Sequence, residues 1–212
     1  MSDQNTILIA GLGNPGPKYE GTPHNAGFLV IDKLLETYGQ KPETSKKLDA
    51  QTAKFSIADT SIILAKPATF MNESGTAVKK MLNFYNLDPS SLWIVHDEID
   101  LVLGNIKIVK NRGSAGHKGV EDIILKIGTK DFVRFRIGIL PAHLPKNRSE
   151  LVMNKFVVSK FSGEEKETFQ KSIDLVRDAI IFAIENGVGK CASIYNSKVA
   201  DSTPSGDSQE TQ

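Results

Sequence analysis

The chain has 212 residues, 40% of them hydrophobic and 24% charged, with 26 Lys and Arg against 25 Asp and Glu. This is an ordinary soluble globular composition, and a chain this long buries a full core without staples. Its single cysteine, Cys191, excludes an internal disulfide framework and a cysteine metal cage and fits a reducing compartment.

The N-terminus has no basic stretch and only a short apolar run, so neither a signal peptide nor a membrane span is expected, and the reading is cytoplasmic. Ile7–Ala10 predicts a short buried strand that runs into Gly11-Leu12-Gly13-Asn14-Pro15-Gly16. The glycines have the spacing of a dinucleotide-binding turn, but the context opposes that reading. Pro15 and Pro17 remove backbone donors, Pro17 disfavours helical dihedrals at Gly16, and helical periodicity resumes only at Thr22-Pro23. Thr22 is the expected capping hydroxyl, and Phe28, Ile31, Leu34, Leu35 and Tyr38 then recur at helical spacing.

Gly39–Asp49 reads as a polar loop, followed by strands at Ala53–Ile57 and Ser61–Ala65. A helix is expected from about Glu73 to Tyr85, and a strand at Leu92–Val95 that ends in His96-Asp97-Glu98-Ile99-Asp100. Asn105–Val109 alternates as a strand, Gly113–Gly119 forms a glycine-rich turn, and a helix from about Val120 to Ile127 precedes a strand at Phe132–Ile139. A long amphipathic helix spans about Glu164–Asn186. Residues 1–198 form one domain on this reading, and 199–212 form a disordered polar tail. The alternation predicts a single α/β domain with a mixed, mostly parallel twisted sheet and helices on both faces.

Charge is uneven along the chain. Gly104–Arg148 holds ten Lys or Arg against three acids, whereas Gly163–Gln212 holds five against nine. Such asymmetry suits a phosphate-rich partner along one region, and equally a scatter of solvated lysines.

Four segments fall at strand ends, where open α/β sheets place their functional crevice. The first carries Asn14 and His24. A helix start opposes a charged imidazolium by roughly 0.3–1 kcal/mol and favours the proton-accepting form, although a capping or packing role for His24 fits the same position. Asp97 follows a strand and suits the orienting carboxylate of such a base. His96, Asp97, Glu98 and Asp100 together are also conceivable ligands of a divalent cation. Lys66–Gly75 presents Phe70 and Met71 beside the Asn72 amide, and Gly113–Gly119 offers backbone amides within the basic region. Neither a phosphate-binding loop of Walker type nor a nucleophile elbow is present, and Cys191 lies in no catalytic context, so covalent catalysis has no candidate. A single base activating water remains, which suits an ester better than an amide.

Gly11–Gly16, Thr22–Gly27, Lys66–Gly75, His96–Asp100, Gly113–Gly119, Arg134–Ile139 and Phe156–Phe161, taken in order, resemble the bacterial-type peptidyl-tRNA hydrolase family from about Ile7 to Ala192. The resemblance implies a monomeric, metal-free and cofactor-free hydrolase of the ester between a peptide and the 3′ ribose of tRNA. It has no use for DNA or a membrane. It implies His24 as general base and Asp97 as its orienting carboxylate, with Asn14 reading the first peptide bond. Tyr19, Phe70 and Asn72 would hold the 3′ end of the substrate, with Met71 as apolar support. Lys107, Lys110, Arg134 and Arg136 would contact tRNA phosphates, independently of sequence. The chain departs from the family at Lys118, where asparagine is usual, at Pro23, where arginine is usual, and at Leu140-Pro141, where a glycine and a basic residue are usual. Lys118 keeps the donor, loses the acceptor and adds a charge, which suits substrate binding or a developing oxyanion. Two other readings stand beside the esterase: a tRNA- or RNA-binding protein of the same fold, and a nucleotide-dependent oxidoreductase resting only on the glycine spacing.

Overall fold

The computed structural model describes residues 5–141 and 155–197. The expected polar tail from Val199, and Lys146 and Arg148 of the basic segment, lie outside the described residues. In chain order the elements are β1 (Asn5–Gly11), α1 (Ala26–Thr37), β2 (Glu43–Ser45), β3 (Ala50–Ile57), β4 (Thr60–Pro67), α2 (Ser74–Tyr85), β5 (Leu92–Val102), β6 (Ile106–Lys110), α3 (Lys118–Ile127), β7 (Val133–Leu140), α4 (Gly163–Asn186) and α5 (Val188–Tyr195).

The strands form one sheet in the order β2-β3-β4-β1-β5-β7-β6. Its centre, β4-β1-β5-β7, is parallel, and β2, β3 and β6 pair antiparallel at the two edges. Helices cover both faces, as the alternation predicts. On one face Val30, Ile31 and Leu34 of α1 meet Ile173, Val176 and Ile180 of α4, with Ile9 and Val95 beneath them. On the other, Ala77, Val78 and Met81 of α2 and Val120 and Ile123 of α3 cover Leu8, Ala10 and Ile94. Each fully buried Leu, Ile or Val in these layers contributes roughly 1.5–3 kcal/mol of transfer free energy. The α4 stripe acts together with local preference, since Glu164 and Glu165 in its first turn favour a helix N-terminus.

Three elements depart from the expectation. β2 lies inside the stretch read as a loop, because edge pairing of Glu43–Ser45 with Ala50–Thr52 needs no apolar side chain. β5 does not stop at Val95 but runs on to Val102, pairing His96 with Arg136 and Asp97 with Ile137 in β7. Its charges are tolerated within the sheet because the Glu98 carboxylate takes two guanidinium bonds from Arg136, at 2.9 and 2.6 Å. α5 was not expected at all. Gly187, at φ 86, breaks the helix and lets Cys191 and Tyr195 fold back into the core, while the Asn196 amide brackets Ile108 of the edge strand β6.

Among the described residues, no helix is long and apolar enough to cross a membrane.

Candidate active site

The carboxyl end of β1 turns at Gly11–Gly16 and hands the chain to two short 3-10 turns, Pro17–Tyr19 and Pro23–Asn25, before α1 begins at Ala26. A dinucleotide-binding helix would start inside the glycine motif; here it starts ten residues after Gly16. Gly16 has φ 105, a conformation reserved for glycine. Gly27 serves close approach instead: a Cβ there would lie 2.2 Å from the Leu12 nitrogen and 2.3 Å from the Val95 carbonyl oxygen. The first turn of α1 therefore sits directly on the ends of β1 and β5, which brings His24 over Asp97. Thr22 does not cap the helix as expected; its hydroxyl donates to the Tyr19 carbonyl at 2.7 Å. The His24 amide is held by the Val157 carbonyl at 2.9 Å.

His24 Nδ1 lies 3.0 and 3.1 Å from the two carboxylate oxygens of Asp97. His117 Nε2 approaches one of the same oxygens at 3.0 Å, and its Nδ1 accepts the Val120 amide at 3.2 Å as the N-cap of α3. A carboxylate can only accept, so His24 donates from Nδ1 and His117 from Nε2. Those bonds fix both tautomers and leave His24 Nε2 with a free lone pair. His117 was not singled out as a site residue, although its sequence signal was present: a histidine inside a glycine-rich turn ahead of a helix.

Burial pushes the His24 imidazole down, but the charge and hydrogen bond of Asp97 more than offset it, leaving the pKa above the ordinary 6.5; Lys118 opposes that rise. Asp97 is held well below the usual carboxylate range. Its burial works the other way and is overcome by the charges and hydrogen bonds of His24 and His117. His96 is fully buried, donates to the Asp97 carbonyl at 2.6 Å, and is held well below its ordinary value by burial and by His117 beside it.

The acidic stretch does not assemble as a cation site of its own, since Glu98 is bound to Arg136 and His96 to backbone. Among the described residues, the group that could approach a metal is His24, Asp97 and His117, with ligand atoms within 4.8 Å of one another. In the geometry observed these atoms are engaged in a proton-sharing network.

The other candidate residues divide by position. Lys118 lines the same cavity of about 440 Å³ as His24, Asp97 and His117. Asn14 is buried and lines a neighbouring cleft instead, locked to Asn25 by bonds of 2.8 and 3.1 Å, with its Oδ1 accepting the Met71 amide at 2.8 Å. Met71 is buried, and its sulfur fills the space over Gly119. Phe70 is 52% exposed, Asn72 is exposed, and Tyr19 is half-buried under the Lys18 ammonium. Of the four basic candidates, Lys107 is exposed and Lys110 pairs with Asp131 at 3.2 Å. Arg134 is buried: its guanidinium donates to the Gly113 carbonyl at 2.8 Å, and burial beside Arg136 lowers its pKa to about 10. Arg136 is bound to Glu98. These two arginines thus brace the glycine turn and β5 from within. All but Lys110 nonetheless line one basic hollow, with Arg112.

Comparison with known proteins identifies the family. The sequence model of the peptidyl-tRNA hydrolase family matches residues 8–203. The peptidyl-tRNA hydrolase of Thermodesulfovibrio yellowstonii is 44% identical over 193 residues, covering 90% of this chain and 98% of its own length. That of Akkermansia muciniphila is 38% identical over 189 residues, covering 89% and 95%. The crystal structure of the Acinetobacter baumannii peptidyl-tRNA hydrolase superposes with a TM-score of 0.85 at 31% identity, covering 93% of this chain and 98% of that one.

Proposed function

The chain belongs to the peptidyl-tRNA hydrolase family, and from that premise we propose that it cleaves the ester joining a peptide to the 3′ ribose of tRNA with a water molecule activated by His24. The observation that carries the mechanism is the His24 Nδ1–Asp97 pair, which leaves Nε2 as a lone-pair base in the cavity. Nε2 takes a proton from water as the oxygen attacks the ester carbonyl carbon. The imidazolium that forms is stabilised by the ionised Asp97, whose position is shared with His117. Collapse of the tetrahedral adduct breaks the bond to the ribose 3′ oxygen, which leaves with the proton returned from Nε2.

Asn14 presents its remaining amide hydrogens to the first peptide carbonyl, because its Oδ1 is already taken by Met71. An uncharged amide reads backbone without reading side chains, and a free aminoacyl ester offers it no such peptide group. Phe70, Tyr19 and Asn72 flank the ester and the terminal nucleoside, with Met71 as the packed support beneath. Lys118 places a cation in the cavity, where it stabilises charge developing on the carbonyl oxygen. Lys107 and Lys110 contact tRNA phosphates. Arg134 and Arg136 add positive potential below them while holding the loop in shape. The enzyme works as a cytoplasmic monomer and recycles tRNA from prematurely released chains.

The test is release of the acyl group from N-acetyl-aminoacyl-tRNA and from the same aminoacyl-tRNA with a free amine. Rapid cleavage of the first and sparing of the second is expected. Binding of N-acetyl-aminoacyl-tRNA with the ester left intact would instead establish the non-catalytic RNA-binding reading.

A further inference from the structure

A second cleft, of about 360 Å³, opens on the far side of Asn14 from the catalytic cavity. We propose, on the hydrolase reading above, that this cleft is the subsite for the peptide residues upstream of the ester-linked one, and that it selects chains bearing positive charge there.

Position is the first argument. Asn14 and Asn25 line the cleft, and Asn25 directly follows His24, which lines the catalytic cavity; one wall separates the two. That wall is rigid, because Asn14 and Asn25 exchange two buried hydrogen bonds. On the opposite side of the catalytic cavity lies the basic hollow of Lys107, Arg112, Arg134 and Arg136, which shares Ala115 with it. The ester is the junction between a polyanion and a peptide. With the polyanion drawn to the basic side, the peptide leaves past Asn14 into the cleft.

Charge is the second argument. The cleft carries two carboxylates, Glu20 and Asp32, and one ammonium, Lys66, which is bound to Asp32. Glu20 is exposed at the rim, so the balance is negative, which repels a phosphodiester and attracts a lysine, an arginine or the free amine of a short peptide. Phe28, Leu29 and Pro67 supply apolar wall, and such a mixture of apolar surface with a few polar groups is typical of a ligand subsite.

The test compares kcat/KM for N-acetyl-alanyl-tRNA, whose acyl group ends at Asn14, with that for N-acetyl-tetra-alanyl-tRNA. Two further tetrapeptides carry Lys or Glu at the second residue from the ester. Thr44→Trp, at an exposed position of β2 lining the cleft, should lower the ratio of the long to the short substrate on the order of tenfold, the scale on which a side-chain pocket discriminates. Glu20→Lys, exposed and therefore harmless to folding, should turn a preference for the Lys peptide into one for the Glu peptide. An unchanged ratio together with an unchanged charge preference overturns the subsite. An equal fall on both substrate lengths assigns the cleft to the RNA end and also overturns it. Failure of the unmodified protein to cleave either substrate refutes the hydrolase reading itself, a result distinct from cleavage without length or charge preference.

Discussion

Replacing Asp97 by Asn removes one negative charge from the centre of the site while nearly preserving its shape. Asp97 meets His24 Nδ1 at 3.0 Å and is 3% exposed, so the charge it offers an imidazolium is little screened. Two unit charges about 4 Å apart interact by about 4 kcal/mol at an effective dielectric near 20. His24 is itself 15% exposed, and solvent takes part of that energy, so a fall in kcat of about 10²–10³ is expected at ~1.4 kcal/mol per decade. The pH profile should move as well. Asp97 is what lifts His24 above its ordinary value against burial and Lys118. In Asp97→Asn the imidazole therefore loses its proton at lower pH, and the acid limb of kcat/KM shifts toward acid. The assay is single-turnover release from N-acetyl-aminoacyl-tRNA across pH, with the melting temperature measured in parallel. A fall of less than tenfold in a folded variant, or an acid limb that stays in place or moves toward alkaline pH, would refute the assignment of Asp97 as the charge partner of His24.

Lys118→Asn removes a cation that lowers the His24 pKa; the acid limb should move toward alkaline pH, with a smaller loss of rate than His24→Ala causes, as a pH–rate series will show. Arg136→Ala leaves the Glu98 carboxylate buried without its partner, which should cost about 3–5 kcal/mol of stability in denaturant unfolding. Lys107→Ala should leave the unfolding midpoint in place and weaken tRNA binding with a shallower salt dependence, by about one unit of slope. Gly27→Ala drives a methyl group into the Leu12 nitrogen and the Val95 carbonyl. Expression should yield no folded enzyme, and a native melting temperature would contradict the packing of α1 on the strand ends.

Much of this architecture is written in local pattern. The apolar runs at Ile7–Ala10 and Leu92–Val95 and the α1 and α4 periodicities were readable because one face of each is buried against a neighbour. The glycine loop was readable too, because two prolines forbid an early helix and so separate Asn14 from His24 by a defined turn. What escaped depends on partners far along the chain. His96-Asp97-Glu98 looks like a loop until Arg136, 38 residues beyond Glu98, neutralises the carboxylate inside the sheet. Arg134 and Arg136 look like free surface charge for the same reason, and their internal partners appear only in three dimensions. His117 stands in a glycine-rich turn that the sequence does mark, but its contact with Asp97, 20 positions away, appears only in the fold.

The central claim is that His24 is the base, and His24→Ala tests it directly in single-turnover hydrolysis of N-acetyl-aminoacyl-tRNA at saturating enzyme. The side chain lies at the cavity wall and its backbone amide stays bonded to Val157, so the variant should fold and bind. Release should fall by at least about 10²-fold, the contribution of a positioned general base, with tRNA affinity retained. A folded variant that still cleaves at near the unmodified rate would contradict the account.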